Sequence, residues 1–295
     1  MTNRAEAKVH NNRGAALLMQ GQGASGRAEL EAAVRLDPDN VTALTNLAFA
    51  LDAEGLHDEA IVLYQKAIGI RPGYAVARNN LAIAYANAGR TEDAKAAYRV
   101  ALEIDPRYAT ARLNLAQLHH QLDESTEARE AYEAYLRLKP HDVHALYNLG
   151  VLHLSAGLGD QAAVALGQVL RIEPGHAGAR INLGAILLAR RQVPQAVEMF
   201  EAALEAEPDN LLARYHLALA RLAARDLPRA AAELEAILAR DPAAVQAANN
   251  LALVYREMGD VERATALLEL HVERDPHNQT LRKNLALLRD VGGAR

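Results

Sequence analysis

Apolar residues return along this chain at the three- and four-residue steps of a helix with one buried face, as in Ala43, Leu44, Leu47, Ala50 and Leu51, and again in Ala60, Ile61, Leu63, Tyr64, Ala67 and Ile68. The pattern predicts amphipathic helices in pairs, and the pairs recur. Pro38, Pro72, Pro106, Pro140, Pro174, Pro208, Pro242 and Pro276 stand 34 residues apart, and a residue before proline is pushed out of the helical region, so each ends a second helix. Cutting two residues after each proline gives eight units, 7–40, 41–74, 75–108, 109–142, 143–176, 177–210, 211–244 and 245–278, and a tail whose residues 279–291 read as a capping helix. The whole of 1–295 is expected to form one all-α solenoid domain.

The break inside each pair is marked by Gly21, Gly55, Gly89, Gly157 and Gly259, where a helix ends most easily in a left-handed residue. Asp123, Arg191 and Arg225 stand at that place elsewhere, and in the last two cases Pro194 and Pro228 follow three residues on, suited to the first turn of a second helix. The first unit departs from the rest: with Gly26 and a glycine-rich turn, its second helix is expected to start late or fray. In the tail, Leu281, Leu285, Leu287 and Leu288 should cover the last pair while Arg282, Lys283, Arg289 and Asp290 point outward.

Small residues hold the same phase: Gly14, Ala48, Ala82, Ala116, Gly150, Gly184, Ala218 and Ala252 in first helices, and Ala60, Ala94, Ala128, Ala162, Ala196, Ala230 and Ala264 in second ones. They let paired helices approach. Bulky residues recur at the eleventh place (Leu17, Leu51, Tyr85, Leu187, Tyr255) and at the twenty-fourth (Leu30, Tyr64, Tyr98, Tyr132, Leu166, Phe200, Leu234, Leu268). Over 7–278 this pattern resembles the tetratricopeptide repeat family. The resemblance implies a right-handed superhelix of about eight helix-turn-helix repeats, with first helices lining a concave wall through their second, fifth, sixth, ninth, twelfth and thirteenth places.

The sixth place holds Asn12, Asn46, Asn80, Asn114, Asn148, Asn182, Asn250 and Asn284, interrupted by His216. Asparagine is a mediocre helix former, so the column calls for a further reason. Its carboxamide matches the C=O and N–H of an extended peptide, and long family arrays use an asparagine ladder in this way; bonding to a neighbouring helix is the alternative, compatible with the first. One such bond nets about 0.5–1.5 kcal/mol, while ordering a peptide residue costs about 1–2 kcal/mol, so apolar contacts must supply the difference. They are expected in units five to seven, from Tyr147, Val151, Leu154, Ile181, Ala185, Leu188, Tyr215, Leu219 and Leu222, whereas Asn11, Thr45, Asp52, Asn79 and Asn87 give units one to three a more polar wall beside Phe49 and Ile83. The residues expected to bind peptide are therefore Asn80, Asn114, Asn148, Asn182, Tyr147, Val151, Ile181, Leu188, Tyr215 and Leu219. The Lys, Asn, Asn, Lys, Arg set with which some family members clamp a C-terminal carboxylate does not occur.

Composition narrows the choice further. Hydrophobic residues make up 51% but Trp is absent and only two Phe occur, which suits thin, closely spaced helical layers. A net charge of −5 argues against a nucleic-acid partner, and the absence of Cys removes disulfides and thiolate chemistry. The opening MTNRAEAKVHNNRG lacks the apolar stretch of a signal peptide and no apolar run is long enough to span a membrane, so a cytoplasmic location is expected. Gly21, Gly23 and Gly26 spell a dinucleotide fingerprint without the strand that it needs. His119, His120, His141, His144 and His153 are dense but read as core or surface histidines, and Asn40 and Asn278 read as helix starts, not glycosylation sites. No cofactor, metal or catalysis is expected. The favoured reading is a protein-binding module for an extended, partly apolar segment; a self-assembling scaffold, with possible homo-oligomers, and the targeting domain of a larger transferase-type enzyme are the alternatives.

Overall fold

The structure, a computed structural model, describes residues 3–292. Among the described residues seventeen helices follow one another and no strand occurs. They are α1 (Asn3–Met19), α2 (Gly23–Leu36), α3 (Val41–Ala53), α4 (His57–Ile70), α5 (Ala75–Asn87), α6 (Thr91–Ile104), α7 (Ala109–Gln121), α8 (Ser125–Leu136), α9 (Val143–Ser155), α10 (Gly159–Ile172), α11 (Ala177–Ala189), α12 (Val193–Ala206), α13 (Leu211–Ala223), α14 (Leu227–Arg240), α15 (Val245–Glu257), α16 (Val261–Arg274) and α17 (Gln279–Gly292). The chain is a helical repeat solenoid made of two compact units, Met1–Ala145 and Leu146–Arg295.

The punctuation lies where the sequence puts it. Gly21, Gly55, Gly89, Gly157 and Gly259 all have positive φ, and so do Asp123 (57°), Arg191 (61°) and Arg225 (62°). The repeat therefore imposes a left-handed turn even on residues with a Cβ, at a cost of about 1–2 kcal/mol each. Pro194 and Pro228 occupy the first turns of α12 and α14. Asn40, Asn210 and Asn278 cap α3, α13 and α17, accepting from the amides of Ala43, Ala213 and Leu281. Among the described residues no helix is long and apolar enough to cross a membrane.

The first unit corrects one expectation. Helix α2 starts in the same phase as its counterparts, at Gly23, with Gly26 buried. A Cβ on Gly26 would stand 2.8 Å from the Leu18 side chain and 3.0 Å from the Gly14 carbonyl, and one on Gly14 would stand 2.9 Å from the Gly26 carbonyl. The two glycines let α1 and α2 touch backbone to backbone, and the packing gained outweighs their weak helix propensity.

Within each unit the core is a row of twenty-fourth-place side chains facing small eighth-place residues. Leu30, Tyr64, Tyr98 and Tyr132 are buried in the first unit and Leu166, Phe200, Leu234 and Leu268 in the second. Each buried Leu or Phe is worth about 1.5–3 kcal/mol. Three proline carbonyls are clipped by an arginine six residues on: Arg78 to Pro72 (3.3 Å), Arg112 to Pro106 (2.7 Å) and Arg214 to Pro208 (2.9 Å). The clip satisfies a carbonyl at a turn where the helix ladder has stopped. Helix α17 buries Leu281, Leu285 and Leu288 against α16 and leaves Arg282, Lys283 and Arg289 exposed. The side chain of Asp290 lies outside the described residues.

Candidate functional site

Successive first helices lie side by side within each unit, α1, α3, α5 and α7 in one, and α11 with α13 and α15 with α17 in the other. The asparagine column sits on this layer, and its amide nitrogens are used between helices. Asn46 donates to Asn11 (2.9 Å), Asn114 to Asn79 (3.1 Å), Asn182 to Tyr147 (3.4 Å), Asn250 to Tyr215 (2.9 Å) and Asn284 to Asn249. Every one of these joins a sixth place to the fifth place of the preceding repeat. Asn80 differs, bonding to Tyr64 of the preceding second helix and accepting from Asn79 at 3.0 Å. The column is a staple holding repeats in register, which answers why a poor helix former recurs there.

In four repeats the fifth place does not face outward as expected, whereas Leu113, Tyr147, Tyr215 and Asn249 at the same place stay half-buried. Asn11, Thr45, Asn79 and Ile181 are 7%, 4%, 2% and 4% exposed. Ile181 lies in a core cluster with Ala177, Phe200, Ala203 and Leu217, so it is not available to a guest and leaves the set of candidate contacts. Among the other expected residues, Asn80, Asn114, Asn148 and Asn182 are half-buried, as are Tyr147, Val151, Leu188, Tyr215 and Leu219. Tyr147 leans on His176, with ring centroids 4.8 Å apart, and over Gly178, where a Cβ would meet its hydroxyl at 2.8 Å. The large apolar side chains most open on first helices lie elsewhere: Val9 (66% exposed), Met19, Phe49 (55%) and Val76 in the first unit and Leu212 (57%) and Leu287, on the capping helix, in the second. The polar wall expected for units one to three is thus partly sunk into the layer, with Phe49 left standing.

A second set of inter-repeat bonds escaped the sequence reading. Gln65 donates to Tyr85 (2.9 Å), Arg221 to Glu201 (2.9 Å), Tyr255 to Glu235 (2.7 Å) and Arg289 to Glu269 (2.7 Å). Each joins an eleventh place to the twenty-fifth place of the repeat before it. The Tyr255 phenol is pushed up to about 12, by burial first and by Glu235 second, so it remains a donor at neutral pH. The available signal was Arg221, a charge at a place otherwise read as apolar. Its guanidinium also reaches Glu233 at 2.6 Å, and the other oxygen of Glu233 takes Arg214 at 2.7 Å.

The histidines are distributed among structural roles. His119 bonds Glu124 at 2.5 Å, which also holds Lys95 at 2.8 Å, and His120 meets the edge of Tyr132 at 6.2 Å. His216, the exception in the asparagine column, stacks on Phe200 at 5.4 Å. Burial holds its pKa below the ordinary 6.5, and burial, helped by Arg274, does the same for His271. An unfolded chain takes up protons near 6.5 that these two folded sites refuse, so their contribution is complete above 6.5 and is lost as pH falls below it. Glu124, lowered chiefly by Lys95, and Asp260, lowered chiefly by the Arg263 amide, act only further down, below their ordinary 4.5 and 3.8. Hydrogen exchange corrected for intrinsic rates should therefore show α13 and α16 losing protection between pH 7 and pH 5.5, and His216→Asn should remove part of that loss in α13. Unchanged protection in both helices would contradict it.

Sequence models of the tetratricopeptide repeat match residues 39–107, 79–143, 123–177, 153–222 and 215–279. Among solved structures the chain is similar to YrrB, described as a TPR protein with an unusual peptide-binding site, with 22% identity, a TM-score of 0.55, and coverage of 62% of this chain and 95% of that one. It is also similar to MamA from Desulfovibrio magneticus RS-1, at 23% identity and a TM-score of 0.55 over 58% of this chain and 97% of that one. A longer match, to the Cut9–Hcn1 assembly of the APC/C, covers 90% of this chain and 52% of that one at 18% identity and a TM-score of 0.53. No curated protein matches the sequence.

Proposed function

We propose that this chain, which belongs to the tetratricopeptide repeat family, holds an extended, partly apolar segment of another protein along the open faces of its first helices. Tetratricopeptide repeats in general build non-catalytic protein-interaction surfaces, and the finer reading concerns where and how this one is used. The observation that carries it is the residual exposure of the second unit's first-helix layer. After packing, Tyr147, Val151, Leu188, Tyr215 and Leu219 stay half-open, and Leu212 is mostly exposed. Covering two or three such side chains with a guest's apolar groups supplies about 1.5–3 kcal/mol each, enough with a few main-chain bonds for micromolar binding. Asn148 and Asn182 contribute carboxamides to the same layer. In the first unit Asn80 and Asn114 stand in the equivalent phase, on first helices of the layer that also carries exposed Phe49 and Val76.

Photo-crosslinking tests the choice of face. A benzoylphenylalanine at position 212, on α13, is expected to trap protein partners in cells, whereas one at position 164, equally open on second helix α10 (Val164, 64% exposed), is not. Adducts from 164 alone, or from both positions alike, would refute the first-helix site.

A further inference from the structure

We infer that the second unit grips its guest's main chain through two tyrosine–asparagine pairs, Tyr147–Asn182 and Tyr215–Asn250, and that the segment lying there carries no charge. This rests on the proposed first-helix site and specifies the chemistry of its occupant.

The pairs differ from those of the first unit in what they leave unspent. There the fifth-place partner is itself a carboxamide, buried in the layer at 7% exposure for Asn11 and 2% for Asn79, and it donates to the asparagine beside it: Asn46 donates to Asn11 and Asn11 to Asn12, Asn114 donates to Asn79 and Asn79 to Asn80. In the second unit Asn284 again meets a carboxamide, that of Asn249, but for the other two bonds the acceptor is a phenol oxygen, at 3.4 Å for Asn182 and 2.9 Å for Asn250. A hydroxyl that accepts keeps its own hydrogen to donate. Among the described residues neither Tyr147 nor Tyr215 has a second hydrogen-bond partner, and the Asn182 and Asn250 carboxamide oxygens are neither partnered within the chain nor sealed from solvent. Each pair so presents one donor and one acceptor side by side, the complement of a peptide group.

Between the two pairs the surface of α9, α11 and α13 is free of charge for a structural reason, whereas α15, which carries Asn250, bears exposed Arg256 and Glu257 only at its C-terminal end. Helices α11 and α13 contain three charged residues, Arg180, Arg214 and Arg221. All three turn back into the fold: Arg180 to the Ala202 carbonyl, Arg214 to Glu233 and the Pro208 carbonyl, Arg221 to Glu233 and Glu201. The residues of α9 in this unit, Leu146 to Ser155, carry no Lys, Arg, Asp or Glu. The apolar side chains left half-buried or exposed there include Ala185, Leu188, Leu212, Leu219 and Leu222. A charged guest side chain laid on that surface loses hydration and finds no counter-charge, which rejects it as effectively as any contact selects. The two pairs are two first-helix spacings apart, about 20 Å at 10 Å per packed helix, so the uncharged stretch spans about six extended residues at 3.3 Å each.

Panning a phage-displayed random dodecapeptide library on the full chain, followed by titration of selected peptides, tests this. Enriched peptides are expected to contain an uncharged run of about six residues, and Tyr147→Phe with Tyr215→Phe, which keeps both rings, should weaken them about tenfold while circular dichroism stays native. Replacing guest amides one at a time by thioamides, whose sulfur is a weaker acceptor than the carbonyl oxygen, should weaken binding at two positions in the original chain and not further in the double variant, a coupling that a purely structural role for the hydroxyls does not produce. Enriched peptides with charges inside the run that still crosslink to position 212 would leave the first-helix site standing and overturn the inference. So would thioamide effects equal in both proteins. Peptides that never reach position 212, or no enrichment at all, would overturn both.

Discussion

Replacing Phe200 by Ala is expected to lower the stability of the second unit by about 3–5 kcal/mol, the range for emptying a well-packed aromatic site. Phe200 is wholly buried, between Ala196, Ala203, Ile181 and Leu217, and those neighbours belong to three helices that cannot collapse together onto the void. His216 loses its stacking partner in the same step. Repeat arrays need not unfold in one transition, because each repeat touches only its neighbours. The measurement is therefore hydrogen exchange in α11, α12 and α13, where protection should fall about a hundredfold or more, with α1 to α6 unaffected. A conservative pair of variants guards against misfolding as the explanation. A Cβ on Gly184 would stand 2.7 Å from the Phe200 ring, so Gly184→Ala should cost about 1–3 kcal/mol by overpacking. Adding Phe200→Leu should recover most of it, because Ala218 faces Leu234 and Ala252 faces Leu268 at the same two places in later repeats. A double variant no more stable than Gly184→Ala would show that the two sites are not coupled.

The second large effect is expected at Glu233. Its two oxygens hold Arg214 and Arg221, and these three side chains are 15%, 22% and 15% exposed respectively. Removing one partner from an enclosed ion pair typically costs 3–5 kcal/mol because the remaining charge is stranded. Partial contact with water and the surviving bond from Arg221 to Glu201 reduce that, so Glu233→Ala should cost about 2 kcal/mol in urea unfolding. Enclosed charges are poorly screened, so the difference should persist at 1 M salt, whereas loss of an exposed pair such as Arg225 with Glu257 should be small and vanish there. Equal salt sensitivity of the two would show that the Glu233 network is a surface feature.

What the sequence reveals and what it hides divide along one physical line. Helix ends depend on residues within a few positions of each other, so the prolines and glycines place them, and the phase alone foretells left-handed turns at Asp123, Arg191 and Arg225. Which side of a first helix meets its neighbour depends on how helices 34 residues apart are inclined, and no local residue records that. The fifth and sixth places flank the seam, so Ile181 and Asn79 read as outward although the seam covers both. The staples follow the same logic: a sixth-place amide finds its acceptor 35 residues back, an interval that means nothing until the layer is built. Tyr255 and Tyr85 read as bulky fillers because their rings do fill space, while their hydroxyls meet Glu235 and Gln65 of the repeat before.

The same arithmetic limits how such a chain can change length. Fastenings that always tie one residue to another 35 or 20 positions away survive the gain or loss of a whole block, since each end meets an equivalent stranger. A deletion of any other size inside a helix rotates everything beyond it by 100° per residue, so that Asn182 would no longer point at Tyr147 nor Arg221 at Glu201. Growth by whole modules is thus the one kind of indel that this architecture absorbs without redesign.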